Sequence, residues 1–96
     1  MQETTFEWDD AKNIQNQMKH HVSFEKAQLA FLDAERVIAE DLNHSWNEQR
    51  YFCMGLVEGA VLTVRFTYRD ERIRIIGAGY WRKGRKIYEQ ENRVHR

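Results

Sequence analysis

The sequence predicts one α+β domain: two N-terminal helices packed on a small antiparallel sheet, followed by a C-terminal helix. Three observations predict it. Apolar residues recur three and four apart near the amino end, four short stretches of strand chemistry follow with connections of hairpin length, and helical spacing returns after Gly79. Ninety-six residues, with no proline among them, can build only one modest core, so residues 1–96 are expected to form a single domain.

The elements follow in order. "TTFEW" reads as a short strand. Asp9 or Asp10 then caps a helix in which Trp8, Ala11, Ile14 and Met18 share one face. This helix is expected to end near Lys19-His20-His21, where cations suit the negative end of the dipole. Ser23 opens a second helix with Phe24, Ala27 and Phe31 on one side, although Lys26 stands where a Glu or Gln would complete a capping box. The strands are "ERVIAED", "RYFCMGLV", "AVLTVRFTY" and "RIRIIGA". Glu58-Gly59 makes a tight turn between the second and third, and "RDE" joins the third to the fourth. Short connections imply antiparallel pairing, and the two helices have to cover one sheet face to bury their stripes. A last helix over about residues 82–93 puts Gly84, Ile87, Glu91 and Val94 on one side, with Trp81 and Tyr88 beside them.

Composition excludes several classes. No apolar run approaches the roughly 18 residues of a membrane span, and the acidic start "MQETTFEWDD" lacks the pattern of a signal peptide, so a cytoplasmic protein without membrane contact is expected. The lone Cys53, in an apolar strand, is expected to be a buried, inert thiol. No phosphate-loop, dinucleotide or serine-triad pattern is present. His20 and His21 are adjacent, His44 lies in a loop and His95 is near the end, a spacing unlike that of zinc sites. No metal or cofactor is expected.

The net charge of zero hides a division along the chain. Residues 1–61 hold five Lys or Arg against eleven Asp or Glu, and residues 62–96 hold ten against four. Strand alternation separates Leu62, Val64, Phe66 and Tyr68 from Thr63, Arg65, Thr67 and Arg69, so one face is core and the other polar and cationic. Arg72 and Arg74 join the cationic face if the hairpin register allows. Gly77 and Gly79 then let the backbone bend before Tyr80 and Trp81, which stand beside Arg82, Lys83, Arg85 and Lys86. Rings next to cations suit single-stranded RNA, whose bases stack while its phosphates meet the charges. The alternative is that the rings pin the last helix onto the sheet.

The blocks "FEWDDAKN", "KHHVSFEKA", "HSWNEQR", "TYRDERIRII" and "YWRKGRKIYE", spanning Phe6 to Glu89, resemble the BrnT family of bacterial toxins from type II toxin-antitoxin pairs. The resemblance implies a RelE-like fold and a metal-independent ribonuclease that halts translation and growth. It also implies a cognate BrnA-like antitoxin with a ribbon-helix-helix DNA-binding part, through which alone operator DNA is reached. Two departures stand out. Many members read Ile-Ser-Ala-Arg where this chain reads Ile76-Gly77-Ala78-Gly79, so that either Arg82 or Arg85 supplies that charge or this branch cleaves poorly, and His21 replaces a glycine.

Metal-free RNA cleavage needs a base for a 2′-hydroxyl, cations for the phosphorane charge and an acid for the leaving oxygen. Arg69 and Arg74 are the candidates for the phosphate, because guanidinium donors match its oxygens. Glu48 and Arg50 match the family's Glu-x-Arg pattern, Glu48 as base and Arg50 as a second phosphate contact; a pair that only stabilises the sheet edge is the alternative. His44 is a candidate acid on general grounds, and Tyr88 either assists proton transfer or simply packs. Trp81, Arg82, Lys83, Arg85 and Lys86 are the candidate RNA-binding residues. The other reading of the whole chain is a non-catalytic, degenerate toxin that still grips RNA or its antitoxin.

Overall fold

The structure is a computed structural model that describes residues 4–94. The strands β1 (Phe6–Glu7), β2 (Val37–Glu40), β3 (Arg50–Val57), β4 (Ala60–Arg69) and β5 (Arg72–Gly79) form one sheet in the order β1-β5-β4-β3-β2. The helices are α1 (Asp10–His20), α2 (Phe24–Ala27) and α3 (Arg82–Val94). Strands β2 to β5 pair antiparallel as expected, but β1 lies parallel to β5, so the sheet is mixed. The α+β class and the C-terminal helix stand.

The tight turns set the register. Glu58 and Gly59 both take positive φ, as do Asp70 and Glu71, so each hairpin closes on two left-handed residues whose twist matches that of the strands. Pairing of Arg50 with Thr67, Thr67 with Arg74 and Arg69 with Arg72 follows. Directly paired residues share a face, so the arginines of β3, β4 and β5 project together.

Two amphipathic N-terminal helices were the expectation, and only α1 is a full helix. After Ser23, whose hydroxyl accepts from Lys26 N at 3.0 Å, the second is one α turn that tightens into a 3-10 turn over Gln28–Leu32. A Cβ on Gly55 would strike the Ala30 carbonyl, so β3 runs directly against the backbone of this turn. This departs from the RelE-like arrangement that the resemblance implied. Phe24 and Ala27 are fully buried, and Phe31 packs against them, so the inward face of the segment was read correctly.

The face of α1 was not. Ile14 and Met18 are exposed, 59% and 76%, while Asn13 and Asn16 are buried on the opposite side. The cause is hydrogen bonding. β1 covers β5 only at Ile73 and Arg74, and further along the same strand Asn16 takes over. Its Oδ1 accepts from Ala78 N at 3.1 Å and its Nδ2 donates to Ala78 O at 2.9 Å and to Val22 O at 2.9 Å. Asn13 accepts from Phe24 N at 2.9 Å. Unpaired buried peptide groups cost more than two exposed aliphatic side chains forgo, so the polar face turns inward. His21 caps the helix at φ 59, a left-handed position that a glycine would occupy without strain.

The core lies in two parts. Cys53, Val57, Leu62, Val64, Phe66, Ile73 and Ile75 face α2 and the 3-10 turn. Met54, Val61 and Tyr88 form a smaller cluster under α3, on the other face. Gly84 permits this contact, since a Cβ there would collide with the Thr63 hydroxyl. Tyr88 donates to Asp33 Oδ2 at 2.6 Å, which ties α3 to the segment before β2. Tyrosine here packs and anchors. Burial pulls the Asp33 carboxyl upward, but donation from Leu56 N, Tyr88 and Glu35 N and the nearby Arg36 outweigh it and leave its pKa below the ordinary value. Burial also pushes the Cys53 thiol up to about 12, so it is inert as expected. Glu91 is exposed, and the side chain of Val94 lies outside the described residues, as does His95.

Asn16→Ala strands three buried peptide groups and is expected to lower stability in urea unfolding by about 2–4 kcal/mol. By contrast, Ile14→Lys on the exposed face is expected to change it by less than about 0.5 kcal/mol; the reverse ranking would restore the apolar face as the packed one.

Candidate functional site

Helix α3 covers only part of the arginine face. Beyond it, the loop of residues 41–49 folds over the ends of β3 and β4. Ser45 is its staple: the hydroxyl donates to Asp41 O at 2.6 Å and accepts from Arg50 N at 2.9 Å. Asp41 N donates to Arg50 O at 2.7 Å, and Thr67 Oγ1 donates to Gln49 O at 2.7 Å. A loop fixed at both ends can hold side chains in place.

Three of the four candidate catalytic residues meet here. A cleft of ≈ 400 Å³ is lined by His44, Trp46, Asn47, Glu48, Arg50 and Arg69. Glu48 reaches Arg69 at 3.3 Å and Arg50 at 3.7 Å, with all three side chains roughly one-third to one-half exposed. Pairs so open to water are worth about 0–1 kcal/mol each, so an arriving anion can displace the carboxylate. The Arg50 Nε is buried with no hydrogen-bond partner.

The loop also brings His44, the candidate acid, to this cleft. Its Nδ1 lies 2.9 Å from Oδ2 of Asp41, itself only 4% exposed. A carboxylate only accepts, so Nδ1 carries a proton and donates, which leaves Nε2 as the working atom. The same ring borders a second cleft of ≈ 360 Å³, lined by Phe52, Met54, Thr63, Arg65, Trp81, Lys83, Gly84 and Ile87. Arg65 was placed on the cationic face by alternation but was not singled out. Its place beside Gly77 and Phe52 across the strands puts it there.

The remaining candidates lie elsewhere. Arg74 shares the row of Arg50 and Thr67, but its guanidinium binds Glu7 on the outer strand at 2.8 Å, away from Glu48. Arg72 is 3.7 Å from the same carboxylate. Of the last-helix residues, Trp81 and Lys83 line the second cleft. Arg82 and Arg85 are exposed and line neither cleft, and Lys86 faces a groove with Glu89, Gln90 and Arg93 on the outer side of α3. The Trp81 indole packs over Gly79, and any side chain there would displace it. His20 stacks edge-on to Trp81 with ring centres 5.2 Å apart.

Among the described residues, no three His, Cys, Asp or Glu side chains gather as metal ligands, and no helix is long and apolar enough to cross a membrane. What the fold does assemble is a cationic cleft that can hold a phosphate oxygen, beside a braced imidazole. That defines the class: a small α+β domain with an arginine-rich sheet face. Residues 8–84 match the family described as ribonuclease toxin, BrnT, of type II toxin-antitoxin systems. The chain belongs to that family, whose type II character brings a protein antitoxin as partner. No curated protein matches the sequence.

If the cleft binds phosphate, Arg69→Ala is expected to weaken binding of a single-stranded RNA oligomer and to make log affinity against log salt shallower by about 0.7. Lys12→Ala, on the exposed side of α1, serves as the control and is expected to leave that slope unchanged.

Proposed function

We propose that this protein is a metal-independent RNA endonuclease that acts at the Glu48, Arg50, Arg69 and His44 cleft. The observation that carries the reading is the convergence of Arg50 and Arg69 on a displaceable carboxylate, next to a histidine braced by a buried aspartate. Cleavage begins when a ribose 2′-oxygen attacks the adjacent phosphorus. Glu48, freed from one guanidinium by the incoming phosphate, takes the 2′-hydroxyl proton. Arg50 and Arg69 carry the charge that builds on the non-bridging oxygens, where positioned cations act most strongly. The P–O5′ bond breaks as His44, protonated at Nε2, gives its proton to the leaving oxygen. Asp41 supports the imidazolium through Nδ1. Arg74 adds positive potential from the next strand and positions β1 through Glu7.

Cleavage of this kind inhibits translation and growth. A cognate BrnA-like antitoxin, carrying a ribbon-helix-helix DNA-binding part, neutralises it by covering the cationic face, for which acidic side chains supply the complement. Operator DNA is reached only through that antitoxin. A non-catalytic module that grips RNA or antitoxin is the second reading, favoured by one observation: Trp81, not an arginine, occupies the space at Gly79.

Purified protein in EDTA is expected to cut free RNA. Arg69→Ala and His44→Ala are each expected to lower the rate by about 10²-fold or more, and Arg74→Ala by less than about tenfold, since its guanidinium is already held by Glu7. Binding without cutting by the folded parent, in the presence or absence of ribosomes, would favour the non-catalytic module.

A further inference from the structure

The cleft next to the arginines differs from them in chemistry. Phe52, Met54, Trp81 and Ile87 supply its walls, and Arg65, Lys83 and His44 stand at its border. Arg50 and Arg69 share Glu48, and Arg72 and Arg74 share Glu7, whereas neither Arg65 nor Lys83 has an ion-pair partner among the described residues. Two unmatched cations beside an apolar slot suit a ligand that is flat and apolar at one end and anionic at the other.

A second observation agrees. Among the described residues, two buried side-chain polar atoms lack hydrogen-bond partners: Arg50 Nε and Thr63 Oγ1. Arg50 belongs to the arginine cleft and Thr63 to the slot, and His44 borders both. Buried polar groups are rarely left unpaired, and here both belong to residues that line the two adjoining clefts. The spacing also fits. Phe52 pairs with Arg65 and Arg50 with Thr67, so the slot's row lies one two-residue step, about 7 Å, from the arginine row. That step is of the order of the reach from a nucleotide's phosphate to its base.

We propose that this slot is a nucleobase site, which takes the base of the nucleotide whose phosphate lies at Arg50 and Arg69. Trp81 and Phe52 offer ring surface, Met54 and Ile87 exclude water, and Arg65 and Lys83 meet the neighbouring phosphate. Binding at the site therefore depends on a base as well as on charge. The assignment rests on the ribonuclease reading for its substrate, but it is tested by binding and not by cutting.

The probes are five-nucleotide 2′-O-methyl oligomers, which cannot be cleaved, made as homopolymers of each base and as an abasic strand of the same charge. With the unaltered protein, at least one base-bearing oligomer is expected to bind roughly tenfold tighter than the abasic strand, the size of one base-aromatic stack. Trp81→Ala is expected to abolish that difference. Lys83→Ala, at an exposed position, is expected to weaken all oligomers alike and keep the difference. Equal binding of abasic and base-bearing strands by the parent would overturn the assignment, without any variant having to fold. So would loss of base dependence nowhere but at Lys83→Ala. Cutting of natural RNA is measured alongside: cutting without base dependence removes the slot and leaves the nuclease, and base dependence without cutting does the reverse. Base-independent RNA binding together with shielding of the Trp81 indole by added antitoxin would give the slot to the antitoxin instead.

Discussion

The register of the β4–β5 hairpin is the constraint on which the rest depends. Asp70 and Glu71, both left-handed, close it so that Arg69 pairs with Arg72 and Thr67 with Arg74. With the register of β3 against β4, this puts five arginines on one side of the sheet. A slip of β5 by one residue would turn Arg72 and Arg74 toward the core, where unpaired charges cannot reside. The arginines are thus both a function of the register and a penalty on the alternative. Glu48 and Glu7 quiet part of the charge from opposite sides, and the open, weak character of the Glu48 pairs leaves that part exchangeable.

Much of this fold was legible in the sequence, because strands and turns are written locally. The alternation in "LTVRFTYR" sorted Leu62, Val64 and Phe66 into the core, but Tyr68 is 55% exposed at the sheet's end, and Thr63 and Thr67 are buried on the polar face, Thr63 beneath α3 and Thr67 beneath the loop of residues 41–49. The face of α1 was illegible for a specific reason. Periodicity counts apolar side chains, and this helix is placed by Asn16, whose carboxamide pairs with both peptide groups of a residue far along the chain. No local signal announces that partner. The parallel β1 was equally hidden, since its pairing with β5 spans most of the domain. The second helix fell short because β3 needs the space against Ala30.

The site divides in the same way. Glu48, Arg50 and Arg69 could be named from residue chemistry, from "TYRDERIRII" and from the resemblance, and the fold brings them into one cleft. Residue type alone could not rank Arg69 above Arg74, because the difference lies in Glu7, which reaches Arg74 only through the parallel strand. His44 carries a readable signal in the sequence: Asp41 stands three residues before it, the spacing at which an aspartate can brace an imidazole across a turn. Arg65 was on the page as an alternating residue, but only the hairpin register shows that it sits beside the Trp81 slot and not beside Glu48.

Glu48, Arg50, Arg69 and His44 line one cleft, a set suited to the charge stabilisation and proton transfer that the proposed cleavage requires. The account's central claim is internal attack by the ribose 2′-oxygen, and the ends of the cleaved RNA report on it directly. Products should carry a 2′,3′-cyclic phosphate, or the 3′-phosphate formed when it opens, and a 5′-hydroxyl. Products bearing a 5′-phosphate and a 3′-hydroxyl would contradict it, since those ends require attack by water on the opposite side of the phosphorus.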